Sequence, residues 1–147
     1  MVDMSKWQQI AKERIHDRPA VQGRLGGKIC IVTGAAQGFG RGIAEEMYAE
    51  GAIVGIADMN LPGAEAVAAE LGERAFAIEV NVTDEESVAR MVQTTVEKWG
   101  GLDVLVSNAG VAKAGNLIEL EKKTFDFVTS INYTGYFLCA KYAAAIM

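Results

Sequence analysis

The chain has 147 residues, half of them apolar and 22% charged, which is the size of one domain able to bury a core without disulfides or metals. A net charge of -5 and a pI near 4.9, with no Lys/Arg cluster, exclude a nucleic-acid backbone as the main partner. No apolar secretory core and no run of ~18 apolar residues occurs, so neither a signal peptide nor a membrane span is expected and the expected location is cytoplasmic.

Residues 1–27 read as an extension. Trp7, Ile10, Ala11 and Ile15 fall at helical spacing, and Pro19, Gly23, Gly26 and Gly27 then break the pattern into a short linker. From Lys28 to the end, short β-rich apolar runs alternate with longer helix-period segments. The strands are expected at Ile29–Thr33, Ile53–Asp58, 75–80 and 102–107. Runs such as ICIVT, IVGIA and LDVLVS are apolar on both faces, so helices must cover both sides. That predicts an α/β fold with a doubly wound parallel sheet, Rossmann-like and incomplete in its C-terminal half. Thr83 and Glu86 have capping-box spacing for a helix ending near Trp99 before Gly100 and Gly101. The segment 121–147 is helical by pattern and has no Gly, Asn or Pro to close it, so it is expected to be cut rather than finished. Cys30 and Cys139 lie in apolar surroundings without a CxxC spacing, and the only histidine is His16, so structural thiols are expected and a metal site is not.

Gly34, Gly38 and Gly40 fall between the first strand and the helix that follows it, with Gln37 and Phe39 among them. A tight turn, close backbone approach of a pyrophosphate and free N–H groups at a helix start all favour glycine there, so these residues are candidates for dinucleotide binding. Asp58 closes the second strand, where a carboxylate accepts hydrogen bonds from ribose hydroxyls and repels a 2′-phosphate. NAD is therefore expected over NADP. Gln37 and Met59 are uncharged, and Arg41 is the one nearby cation, which supports the same choice.

The pattern Thr33-Gly34-x-x-x-Gly38-x-Gly40, followed by Ser107-Asn108-Ala109-Gly110 after the fourth strand, resembles the short-chain dehydrogenase/reductase family over about residues 25–147. The resemblance implies that Thr33 belongs to the cofactor set and that Asn81 and Val82 stand where the family contacts adenine with Asp-Val. It also implies that Asn108, Ala109 and Gly110 line the nicotinamide-ribose side and brace the central strands. Asn132 matches the family's helix asparagine, which helps to hold a water in a proton relay to a catalytic lysine.

The implied chemistry is hydride transfer between a nicotinamide and an alcohol or carbonyl carbon, with a tyrosine whose pKa is lowered by a lysine four residues on. Residues four places after Tyr48, Tyr133, Tyr136 and Tyr142 are Ala52, Phe137, Ala140 and Ile146, so no such pair is present. In the family, the serine, tyrosine and lysine follow the Asn132-type helix. The expectation is accordingly the NAD(H)-binding portion of an oxidoreductase, inactive by itself, with a small-molecule alcohol or carbonyl substrate only in a complete chain. The extension before residue 25 resembles the joint of fused aldolase/dehydrogenase proteins, which implies a sugar or polyol, or its phosphate, as that substrate. The fourth strand is expected to leave an apolar edge that, with the last helix, takes a partner or a second copy. A non-catalytic dinucleotide-binding or scaffold module is the alternative.

Overall fold

A computed structural model describes all 147 residues. Four parallel strands form one sheet in the order β3-β2-β1-β4: β1 Ile29–Thr33, β2 Ile53–Asp58, β3 Ala75–Glu79 and β4 Val104–Val106. Helices α2 (Gly38–Ala49), α3 (Leu61–Leu71) and α4 (Glu85–Trp99) connect them. After β4 come α5 (Lys122–Thr129), a π-helical turn (Ser130–Gly135) and α6 (Tyr136–Ala144), while α1 (Ser5–Glu13) precedes the sheet. The expected parallel α/β architecture is therefore present.

The strand pattern explains the two-layered cover. Successive side chains in a strand point to opposite faces. Ile29, Ile31 and Ile53 enter one core with α4 and α6, while Cys30, Val32, Val54 and Ile56 enter another with α2 and α3. All five residues of β1 are buried, and its register against both neighbours sets Ile31 between Gly55 and Leu105. Both cysteines are free and buried, and burial pushes the Cys30 thiol up to about 12 and Cys139 up to about 11. They fill space as small apolar groups.

Helix ends follow local chemistry. Asn60 caps α3 by accepting from Gly63 N, and Gly100 closes α4 in the left-handed conformation. The cap of α4 differs from the capping box expected at Thr83. Asp84 occupies the N-cap and accepts from the Glu86 and Ser87 N–H groups, because Asn81 Oδ1 has taken the Thr83 hydroxyl at 2.8 Å. The last segment is likewise not one uniform α-helix. Its π turn sets Gly135 against Val82, where a Cβ would approach Val82 Cγ2 to 2.8 Å.

Strand β4 is shorter than expected and pairs only with β1, so it is a sheet edge. The N-terminal segment lies against the body of the molecule: Met4 and Ala11 are buried in the core shared with α4 and α6. Trp7 Nε1 and Arg14 Nη1 donate to Glu97, and Gln8 Nε2 donates to Ala145 O. No helix is long and apolar enough to cross a membrane.

Candidate functional site

An open cleft of about 650 Å³ lies at the carboxyl ends of the strands, where the chain leaves β1 for α2 and β4 for the loop beyond it. That is the crevice in which open α/β sheets bind ligands, because the helix starts and strand ends converge there. Gly34, Gln37, Gly38, Phe39 and Gly40 form its floor. Gly38 has φ +59° and nothing within 4 Å of where a Cβ would stand, so the backbone there is bare toward the cleft. Gly40 is glycine for a different reason: a Cβ would come within 2.2 Å of Gly34 O and 2.5 Å of Asn108 Nδ2. Helix α2 has no side-chain cap, and the N–H groups of Gly38, Phe39 and Gly40 have no acceptor in the protein.

Asp58 stands at the rim and is the only charged residue of the lining. Its Oδ2 accepts from Ala36 N at 3.0 Å and its Oδ1 from Asn60 N at 3.0 Å, tying the glycine turn to the start of α3. Each carboxylate oxygen keeps acceptor capacity toward the cleft. Arg41, the nearby cation, is turned away and held by Glu45 at 2.7 Å and Glu70 at 2.6 Å.

Asn81 and Val82 form part of a second wall, with Val80 and Thr83. The Asn81 carbonyl oxygen accepts from both the Thr83 N–H and its hydroxyl, which fixes the side chain within the turn at the cleft wall. Asn108, Ala109 and Gly110 line the opposite side. Asn108 Nδ2 donates to Thr33 O at 2.9 Å and Gly34 O at 3.2 Å, fastening β4 to the glycine turn.

Two residues of the sequence-derived set do not line the cleft. Thr33 is fully buried behind its floor, and its hydroxyl accepts from the Asn108 and Ala109 N–H groups at 3.1 and 3.0 Å. Thr33 therefore shapes the cleft from behind. The Asn132 amide is spent on a single residue: Oδ1 accepts from Val111 N at 2.8 Å and Nδ2 donates to Val111 O at 2.7 Å. It fixes the segment that follows Gly110. Conversely, Val111, Phe127, Ser130 and Ile131 line the cleft and were not singled out from the sequence. The last three lie at the junction of α5 and the π turn, and no local motif marks them.

Comparison with known proteins agrees with this geometry. The short chain dehydrogenase family matches residues 28–147. Sorbitol dehydrogenase of Cereibacter sphaeroides is 43% identical over 112 residues, covering 76% of this chain and 44% of that protein. Tropinone reductase-like 1 of Erythroxylum coca is 41% identical over 128 residues, covering 84% of this chain and 47% of that protein. Among solved structures, a 3-ketoacyl-(acyl-carrier-protein) reductase from Brucella melitensis complexed with NADH superposes with a TM-score of 0.77 at 37% identity, over 80% of this chain and 48% of that one. The chain spans about half the length of the curated relatives it matches. With the glycine turn, the strand-end acid and the Asn-Ala-Gly segment converging on one cleft, the chain belongs to the short-chain dehydrogenase family.

Proposed function

We propose that the cleft binds NAD(H) and that this chain is the cofactor-binding portion of an oxidoreductase acting on an alcohol or carbonyl compound, with a sugar or polyol, or its phosphate, as the substrate class. The observation that carries the reading is the uncapped start of α2, where three N–H groups without acceptors border an open cleft. Unpaired N–H groups at the positive end of a helix favour a phosphate. The bare backbone at Gly38 fits close approach of a pyrophosphate, since no side chain stands in its way. The kinship of the chain with a reductase solved with NADH points to the same ligand.

Preference for NAD over NADP is supported by the charge around the rim. Asp58 opposes a 2′-phosphate, no Lys or Arg lines the cleft, and Arg41 is already paired with two carboxylates. When bound, the nicotinamide supplies hydride transfer. The residues of this chain contribute binding and orientation: Gly38 and Gly40 admit the phosphates, Asp58 holds ribose hydroxyls, and Asn108 keeps the two strand ends in register. Proton transfer is assigned to none of these 147 residues, which hold no Tyr-x-x-x-Lys pair. Tyr133 and Tyr136 do not line the cleft, and Tyr142 is buried with its hydroxyl committed to Glu85 and Val2.

The test is a titration of the purified chain with NADH and NADPH, followed by the fluorescence of the reduced nicotinamide. Saturable NADH binding, weaker by about tenfold or more for NADPH, is expected. Replacement Gly38→Ala should remove most of the affinity while leaving the fold. Absence of saturable NADH binding, or a preference for NADPH, would overturn the reading. Turnover of a polyol with NAD by this chain alone would contradict the assignment of proton transfer elsewhere. Cofactor binding that stays without turnover when a complementing chain is added would favour the non-catalytic module.

Association with a partner or a second copy is part of the same proposal. It is supported by the open β4 edge beside a helical face that exposes Phe125, Tyr133, Tyr136 and Phe137. A monodisperse monomer in light scattering would count against it.

A further inference from the structure

Two of the walls of the cleft come from distant parts of the chain. One is the stretch 80–83 leading into α4, and the other is formed by Phe127, Ser130 and Ile131 ahead of α6. They meet through the apolar core that α4 and α6 share and, nearer the cleft, at two further places. The first is apolar, where Gly135 of the π turn lies on Val82. The second is polar and lies at the first residue of α4 and about two turns beyond Gly135, in α6. Glu85, the first residue of α4, accepts from Lys141 Nζ at 2.6 Å and from the Tyr142 hydroxyl at 2.8 Å through the same oxygen, Oε1. These are the only hydrogen bonds between α4 and α6. The Tyr142 hydroxyl in turn accepts from Val2 N at 3.0 Å, so the N-terminal segment is fastened to the same point. Tyr142 is 2% exposed, which leaves its ring no freedom to swing away, whereas Glu85 and Lys141 are half-buried.

We infer that Glu85 is a positioning residue for the cofactor cleft: by holding Lys141 and Tyr142 it fixes the start of α4 to α6 and so sets the separation of the two walls. The inference rests on the dinucleotide reading given above. Glu85 itself does not line the cleft and touches no ligand. Its leverage comes from place. It directly follows the capping Asp84 and the wall residues 80–83, and its partners stand on the helix that continues the π turn carrying Ser130 and Ile131. The apolar packing between α4 and α6 is non-directional, and the two bonds to one carboxylate oxygen add a directional tie that fixes their register at the end nearest the cleft. The N-terminal segment gains a role from the same geometry, because the Val2 N–H donates to the Tyr142 hydroxyl that Glu85 holds.

The experiment compares Glu85→Ala, Glu85→Gln and Tyr142→Phe with a control, Val96→Ala, which opens a cavity in the buried face of α4 away from this joint. NADH affinity of the unaltered chain is measured first. Failure there sinks the dinucleotide reading and leaves the joint to be judged by amide hydrogen exchange of residues 127–135 without ligand. Glu85→Ala should weaken NADH binding about tenfold and accelerate exchange in 127–135. Glu85→Gln, which keeps an acceptor oxygen, should recover most of the affinity. Val96→Ala should lower the melting temperature and leave the NADH affinity within about twofold. If Glu85→Ala does not fold, Tyr142→Phe carries the test, since it removes one hydroxyl from a buried ring and should weaken NADH about threefold. Unchanged affinity and unchanged exchange in the folded variants would overturn the inference, as would an equal loss of affinity in Val96→Ala, because affinity would then follow global stability.

Discussion

Strands β1 and β4 lie side by side and differ in how each is held. Every residue of β1 is buried, with strands on both sides and helices on both faces. The three residues of β4 are half-buried, with a strand on one side only. Yet both deliver residues to the same cleft: β1 leads into the glycine turn and β4 into Asn108, Ala109 and Gly110. The floor is therefore built on the most constrained element of the sheet. The facing wall is built on the least constrained one and depends on side-chain braces. Thr33, Asn108 and Asn132 supply those braces, and all three act on backbone groups.

The largest test of that contrast is paired truncation. Ile31→Ala removes a fully buried side chain from the centre of the sheet and should cost about 3–4 kcal/mol, whereas Leu105→Ala at the edge should cost about 1–2 kcal/mol. Urea denaturation of both variants gives the difference, and equal losses would erase the distinction between centre and edge. Next comes Thr33→Val, which is close in shape and lacks the hydroxyl that accepts from two N–H groups. It should cost about 2 kcal/mol and loosen the Asn108 loop, seen as faster amide exchange at Asn108 and Ala109.

A smaller effect is expected at the α4 cap, where Asp84→Ala should cost about 1 kcal/mol and Thr83→Ala less, by thermal melting. The reverse order would restore the capping box at Thr83. The smallest is a pH effect. Lys141 and Tyr142 donate to Glu85 and hold its carboxyl below the usual carboxylate range. A depressed pKa contributes stability that is present above the unfolded value and is lost as pH falls through the folded one. Stability should therefore decline as the solution is acidified below the ordinary glutamate range, with a shallower slope in Glu85→Gln, read from melts across that interval.

Much of the fold was legible from the chain because its strands are apolar on both faces and its helix starts carry chemical marks. The bounds of β1 and β2 follow from the runs ICIVT and IVGIAD, and the turn between β1 and α2 follows from the spacing of Gly34, Gly38 and Gly40. What was misread lay where two polar groups compete for one partner. Thr83 has the spacing of a cap, but Asn81 Oδ1 captures its hydroxyl, and Asp84 then takes the helix end. Sequence spacing states which bonds are within reach, and only the folded turn decides among them.

The sequence by itself determined the parallel α/β plan, the position of the glycine turn and the acid at the end of β2, because each depends on a few neighbouring residues. The tertiary structure alone decided that Thr33 and Asn132 brace the cleft without lining it and that Phe127, Ser130 and Ile131 form one of its walls. It also decided that the N-terminal segment joins Glu85 through Tyr142. These depend on contacts between residues 21 to 140 positions apart, which no local pattern encodes because chain distance and spatial distance are independent once the sheet has formed.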